Sequence, residues 1–267
     1  MTTPTQIQKY VITDKLPSST NGLEKYLAKQ HQLNRRVELR ILNRTIKPDS
    51  REFKRFKREL SLLANLDHPG IIKILDVGTY DNRLFYITTF RRAKSIEELL
   101  QKTESVFSVK EALKMALTIA DALKHMHRNK ILHRNISTSN IFYDLKNLRF
   151  YIGGFSTIKL IKEENLDKSQ WSDSRTDFFA PEQYKNETLD ERTDIYLLGS
   201  VLYKVLTFQP LNSTNTEDTN TFDLPSKFNA KISDSLDKII TKSLKESPDE
   251  RFQTISELII ELEEIND

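Results

Sequence analysis

The sequence predicts an α+β protein of two lobes, a small strand-rich lobe over residues 1–91 and a larger, mainly helical lobe over residues 92–267. Three observations carry this. Short runs of alternating apolar and polar residues crowd the first ninety positions. After Arg91 the apolar spacing lengthens to that of a helix. Capping-box signatures, Ser108-Val109-Lys110-Glu111 and Thr254-Ile255-Ser256-Glu257, open helices in the second part only. Strands first and helices afterwards, with no internal repeat, place the two kinds of structure in adjoining lobes of one domain.

The elements follow in order. Tyr10-Val11-Ile12, Lys25-Tyr26-Leu27 and Val37 to Leu42 read as strands joined by turn-rich segments. From Arg51 to Asn65 the period is helical: Phe53, Phe56, Leu60 and Leu63 share one face, and Arg51, Lys54, Arg55 and Arg58 share the other. His68-Pro69-Gly70 ends that helix, and Ile71 to Val77 and Leu84 to Phe90 are two further strands. The helix opened at Ser108 buries Leu113, Ala116, Leu117, Ala120 and Leu123. Thr193 to Thr207 is apolar around most of its circumference, which predicts a central, buried helix. Segments 161–176 and 211–222 are polar and read as exposed loops.

Composition narrows the function. A net charge of +3 with the signs interspersed argues against nucleic acid as a partner. The chain has no cysteine, which excludes disulfides, thiolate metal sites and a cysteine nucleophile. No apolar run approaches the ~18 residues of a membrane span, and residues 1–7 lack an apolar signal core, so a cytoplasmic protein is expected.

The most informative segment is His133-Arg134-Asn135-Ile136-Ser137-Thr138-Ser139-Asn140. With Glu59 ahead of Leu66-Asp67-His68-Pro69, Ala180-Pro181-Glu182, Asp194 to Gly199, and Arg251, it forms an ordered series. That series resembles the eukaryotic-like Ser/Thr protein kinases of the bacterial type, from about Tyr10 to the end of the chain. The resemblance implies a bilobal kinase fold with a regulatory helix in the small lobe, and a buried Glu182–Arg251 pair in the large one. It also implies that His133 is a packed core residue.

Kinases transfer a phosphoryl group by positioning and electrostatics. Here the positions that matter depart from the family pattern. Asn135 stands where the family has its catalytic Asp, and Ser137 where it has a Lys that touches the transferred phosphate. The glycine-rich loop corresponds to Pro17 to Lys25, with Gly22 alone remaining. Arg40 replaces the strand Lys, and the resemblance pairs it with the retained Glu59. The metal-binding Asp falls at Gly154, or at Gly153 if the register slips by one; neither supplies a carboxylate. The retained Asn140 alone makes a poor Mg²⁺ site.

Lys25 and Glu38 replace two apolar contacts to the adenine ring. Two readings stand: a Lys25–Glu38 salt bridge that fills the nucleotide pocket, or side chains that snorkel outward and leave it partly open. The resemblance implies that Thr88 gates the back of that pocket and that Phe142 caps its floor.

The expectation is therefore a pseudokinase without phosphotransfer activity, not an enzyme, with no cofactor or metal required and weak, metal-independent ATP binding still open. It would act as a protein-interaction scaffold or allosteric regulator in Ser/Thr kinase signalling, on a protein partner such as an active kinase. Arg134 can hold a phosphorylated segment in the family, and Ser169, Ser172, Ser174 and Thr176 offer acceptors. The alternative is a nucleotide-binding kinase-fold enzyme with unconventional transfer chemistry or very weak Ser/Thr kinase activity.

Overall fold

The computed structural model describes residues 5–16, 23–47, 49–102, 107–154, 178–185, 187–211 and 222–266. These divide into two compact units that meet in sequence at Arg92 and Ala93.

The first unit is built on a six-stranded antiparallel sheet of strands β1 (Gln6–Ile7), β2 (Tyr10–Leu16), β3 (Leu23–Gln30), β4 (Arg35–Leu42), β5 (Ile74–Tyr80) and β6 (Arg83–Thr89). Its spatial order is β1-β2-β3-β4-β6-β5, so β4 lies between β3 and β6. Alternation along the strands sorts the side chains onto two faces. Tyr26, Ala28, Val37, Leu39, Ile41, Phe85 and Ile87 lie on one face and form an apolar core with Ile7 and Tyr10. The other face carries the polar positions, because register sets Lys25 and Tyr86 on either side of Arg40, and Leu27 and Thr88 on either side of Glu38.

Helix α1 (Arg51–Ala64) is capped by the Ser50 hydroxyl, which accepts from Phe53 N. It buries Phe56 and Leu60 and packs against β5. The sequence signal here was one apolar stripe and a clear stop; the Ser50 cap is added by the structure.

The second unit is mainly helical. A small sheet orders β7 (Lys94–Ser95), β8 (Ile141–Asp144) and β9 (Arg149–Ile152). The helices are α2 (Ile96–Leu100), α3 (Val109–Arg128), α4 (Pro181–Lys185), α5 (Glu191–Thr207), α6 (Pro225–Phe228), α7 (Asp234–Ser243) and α8 (Ile255–Asn266).

The Ser108–Glu111 capping box forms as expected, and Ser95–Glu98 makes a second that the periodicity did not single out. At α8 the box is half made. Glu257 N donates to the Thr254 hydroxyl, but the Glu257 carboxylate turns to Gln253 N. Helix α5 is buried from Thr193 through Val201. It lies against α7 so closely that a Cβ at Gly199 would meet the Ser243 Cβ at 2.8 Å, a contact only glycine allows. Among the described residues no helix is long and apolar enough to cross a membrane.

Candidate functional site

The predicted site residues fall in both units, and each group is built by its own local geometry. In the first unit Arg40 is 4% exposed, an unusual place for a guanidinium. Its Nε donates to Glu38 Oε1 at 2.6 Å, and its guanidinium carbon sits 6.0 Å from the centre of the Tyr86 ring. Burial alone would favour neutral Arg40, but Tyr86 and Glu38 outweigh it and hold the cation firmly protonated.

This corrects the expected Arg40–Glu59 pair. Residues two apart on a strand share a face, so Glu38 is the carboxylate that Arg40 reaches. Glu59, one helical turn along from Arg55, takes that residue's Nε at 3.2 Å. Lys25 lies directly across from Arg40 in register, so Lys25, Arg40 and Glu38 do share one face. Thr88 is buried beside them, its hydroxyl without a hydrogen-bond partner among the described residues.

In the second unit the segment from His133 to Asn140 is fixed by one buried carboxylate. Asp194, in α5, accepts from His133 N at 2.9 Å, from Arg134 N at 2.7 Å, and sits 2.8 Å from His127 Nε2. Arg134 adopts a left-handed backbone (φ 61°), held by Asp194 on one side and by Gln183 Nε2 on its carbonyl. A non-glycine residue holds such a conformation only where its surroundings over-determine it. Sequence reasoning placed Asp194 in a helix motif but missed this role. The available signal was a carboxylate inside a helix otherwise apolar all round, because a buried charge demands partners.

The site residues then form a closed polar network. The Asn135 side-chain Nδ2 donates to the Gly154 carbonyl at 2.9 Å, and Asn140 Nδ2 donates to the Asn135 carbonyl at 2.9 Å. Gly153 N donates to the Asn140 carbonyl at 2.9 Å, and His133 Nε2 lies 3.0 Å from the Gly153 carbonyl. The Ser137 carbonyl accepts from Asn140 N and Ile141 N, closing the turn into β8.

Gly154 has φ +70°, and the space where a side chain would begin is filled by the Asn140 amide. His133 is buried; burial pushes its imidazole below the ordinary value despite Asp194, so it is neutral near pH 7. Phe142 is half-buried in β8, opposite Tyr151 and Ser95. Pro17 to Gly22, Phe155, Ser156, Ser169, Ser172, Ser174 and Thr176 lie outside the described residues.

The expected ion pair is present. Arg251 NH1 and NH2 donate to the two oxygens of Glu182, each at 2.8 Å, in a nearly fully buried fork. Thr193 donates to the same carboxylate. Burial tends to raise the Glu182 pKa, and the Arg251 hydrogen bonds outweigh it, so the carboxyl sits below its ordinary value.

A kinase-like chain implies nucleotide and Mg²⁺, and the residues present can be tested for fit. Asn140 spends its donor on the Asn135 carbonyl and places its amide in the space beside Gly154. Asn135 is a donor to a carbonyl, the reverse of what a cation wants. Among the described residues no three His, Cys, Asp or Glu side chains are grouped to hold a metal. Among the described residues these two amides bring no carboxylate to the cation.

The family model described as Protein kinase domain matches residues 22–261. A probable serine/threonine-protein kinase of Clostridium perfringens is 29% identical over 247 residues, covering 90% of this chain and 36% of that protein. The serine/threonine-protein kinase PknB of Mycolicibacterium smegmatis is 26% identical, covering 98% of this chain and 44% of the relative. The chain thus spans less than half the length of these curated relatives.

Two crystal structures of the PknI kinase domain from Mycobacterium tuberculosis superpose with TM-scores of 0.76 and 0.79, at 23% and 22% identity, over 97% and 98% of both chains. At that identity they speak to the fold alone. The matches overturn one expectation. The reading of the chain as a non-enzyme is not sustained, because the family model spans 22–261 and the relatives are named as kinases.

Proposed function

The chain belongs to the protein kinase domain family, and from that premise we propose that it serves Ser/Thr kinase signalling as a regulatory domain with attenuated phosphotransfer. Its main work is protein recognition, as a scaffold or allosteric regulator of a partner such as an active kinase. One observation carries this reading: the side chain at the catalytic-base position, Asn135, is a donor already engaged with the Gly154 carbonyl. An amide there can neither accept the proton of an attacking hydroxyl nor turn freely toward a substrate. Loss of a general base typically lowers rate by about 10²–10⁴-fold. Ser137 and Arg40, at the two expected Lys positions, support the same direction.

Phosphotransfer from ATP to a generic Ser/Thr substrate tests this directly. The expected turnover lies at least about 10²-fold below the ~1–100 s⁻¹ of ordinary protein kinases. A rate inside that range sinks the proposal.

A second reading is favoured by the buried, unpartnered hydroxyl of Thr88 on the face that carries Arg40, Glu38 and Lys25. Such a group has a hydrogen bond to offer a ligand, and nucleotide binding without metal would use it. Thermal unfolding with ATP or ADP, with and without Mg²⁺, separates the readings. Ligand at 100 times its dissociation constant adds about 2.7 kcal/mol, roughly 2–4 °C per kcal/mol for a chain of this size. A metal-independent shift supports nucleotide as a structural ligand. No shift leaves protein recognition alone.

A further inference from the structure

Helix α1 presents a surface that stores electrostatic repulsion. Arg51, Lys54, Arg55 and Arg58 follow the spacing i, i+3, i+4, i+7, which places them on one stripe, and all four are exposed. Lys57 flanks the stripe and is exposed too. Like charges at i,i+3 and i,i+4 repel, and Arg51 and Lys54 stand at the positive end of the helix dipole. The Arg55–Glu59 pair relieves a part of this. Leu62, 47% exposed, continues the stripe with an apolar contact.

Helix α8 is the electrostatic inverse. Glu257, Ile260, Glu261 and Glu264 repeat the same i, i+3, i+4, i+7 spacing, all exposed, with Glu263 flanking. Its last turn has no basic residue, so Glu261, Glu263 and Glu264 stand at the negative end of their own dipole. Ile260 is 57% exposed in the middle of the stripe. Each helix therefore holds charges that its own backbone disfavours and that the other's would favour.

We infer that the basic face of α1 docks the acidic face of α8 from a second copy of this chain. Antiparallel packing brings the positive N-terminus of α1 beside the negative C-terminus of α8, so stripes and dipoles agree in sign. The two surfaces differ, so each copy offers one donor face and one acceptor face. One helix pair buries less than the ~1,000 Å² of a stable interface, which makes this a weak, salt-sensitive contact. It goes beyond the regulatory reading and does not depend on phosphotransfer.

Analytical ultracentrifugation over a rising protein concentration tests it. The average mass climbs at about 0.1 M salt and stays monomeric at about 1 M, as the screening length falls from about 10 Å to about 3 Å. A wild-type chain that is monomeric throughout overturns the inference. So does association that ignores salt.

Two charge reversals then locate the surfaces. Lys54→Glu with Arg58→Glu spoils α1, and Glu261→Lys with Glu264→Lys spoils α8. Each variant alone loses association at least tenfold, with helix content by circular dichroism unchanged. Their equimolar mixture restores the native contact, the α1 of one against the α8 of the other, and recovers association. A mixture that stays monomeric, or a single variant that associates as wild type does, overturns the assignment. Binding of an unrelated acidic helix to α1 while the chain itself stays monomeric overturns it as well, and would point to a different partner.

Discussion

Two polar clusters in the helical unit solve opposite problems. Around Glu182, Arg251 and Asp194 the groups are charged, buried and fully matched: a forked ion pair at 2.8 Å, and a carboxylate holding two backbone amides and a histidine. Around Asn135, Asn140 and Gly154 the groups are neutral, and each side-chain donor is spent on a backbone carbonyl. Charge is kept where it fixes the fold, and amides hold the loop from His133 to Asn140. The difference teaches that the ion pairs and the amide network are separately built, so one can be perturbed while the other is watched.

The sharpest way to break the comparison is Arg251→Ala. It strands the Glu182 carboxylate and should cost about 3–5 kcal/mol, read as a fall in midpoint of thermal unfolding. A loss under about 1 kcal/mol would show that the pair is not the buried anchor described. The acid side gives a second reading of the same pair. The folded-state pKa of Glu182 lies below the ordinary 4.5, so its contribution is complete above that pH and is lost as pH falls through the lower folded value. Glu182→Gln should flatten that part of the stability profile.

Next in size is Gly154→Asp, which puts a carboxylate where the family pattern expects one. It forces a side chain into a left-handed conformation and onto the Asn140 amide, and should destabilise by about 1–3 kcal/mol without raising phosphotransfer. Adding Asn140→Ala should recover part of the stability. A fully stable, faster Gly154→Asp variant would refute the description of this loop.

Asn135→Asp restores the expected base but sets a carboxylate oxygen against the Gly154 carbonyl. It should cost about 1 kcal/mol, the lower end for a lost hydrogen bond because the side chain is half-buried. The new carboxyl can donate only when protonated, so its pKa should rise in the folded state and the penalty should shrink as pH falls. A penalty independent of pH would show that the amide is not donating there.

The smallest effect concerns His133. Its folded pKa lies below 6.5, so the neutral ring stabilises the fold above that pH, and stability is lost as pH falls from 6.5 through the lower value. His133→Phe should flatten the unfolding profile over this window relative to wild type, whatever its baseline. Equal slopes would mean that the ring titrates freely.

Most of the fold was legible because it rests on local rules. Period two sorted Tyr26, Val37, Leu39 and Ile41 onto the apolar face of the sheet, period 3.6 marked α1, and period 3.6 with Ser108 as cap marked α3. The motif series led to Glu182 and Arg251, since their residue types are distinctive even 69 positions apart. The site was less legible. Residue type said that Asn135 is no base and that Gly154 has no carboxylate, but not that one amide would close on the other's carbonyl. The Arg40–Glu59 expectation failed because family pattern pointed to a distant carboxylate, while strand alternation had already placed Glu38 two residues away on the same face.

By itself the sequence determined the element types, the buried faces and the family, because hydrophobic period, caps and residue identity act over a few positions. Tertiary structure alone decided who partners whom: Arg40 with Glu38, Asp194 with the backbone of His133 and Arg134, Asn135 with Gly154. A buried polar group takes whichever partner the packed backbone brings within about 3 Å, and that distance is set by contacts far apart in the chain.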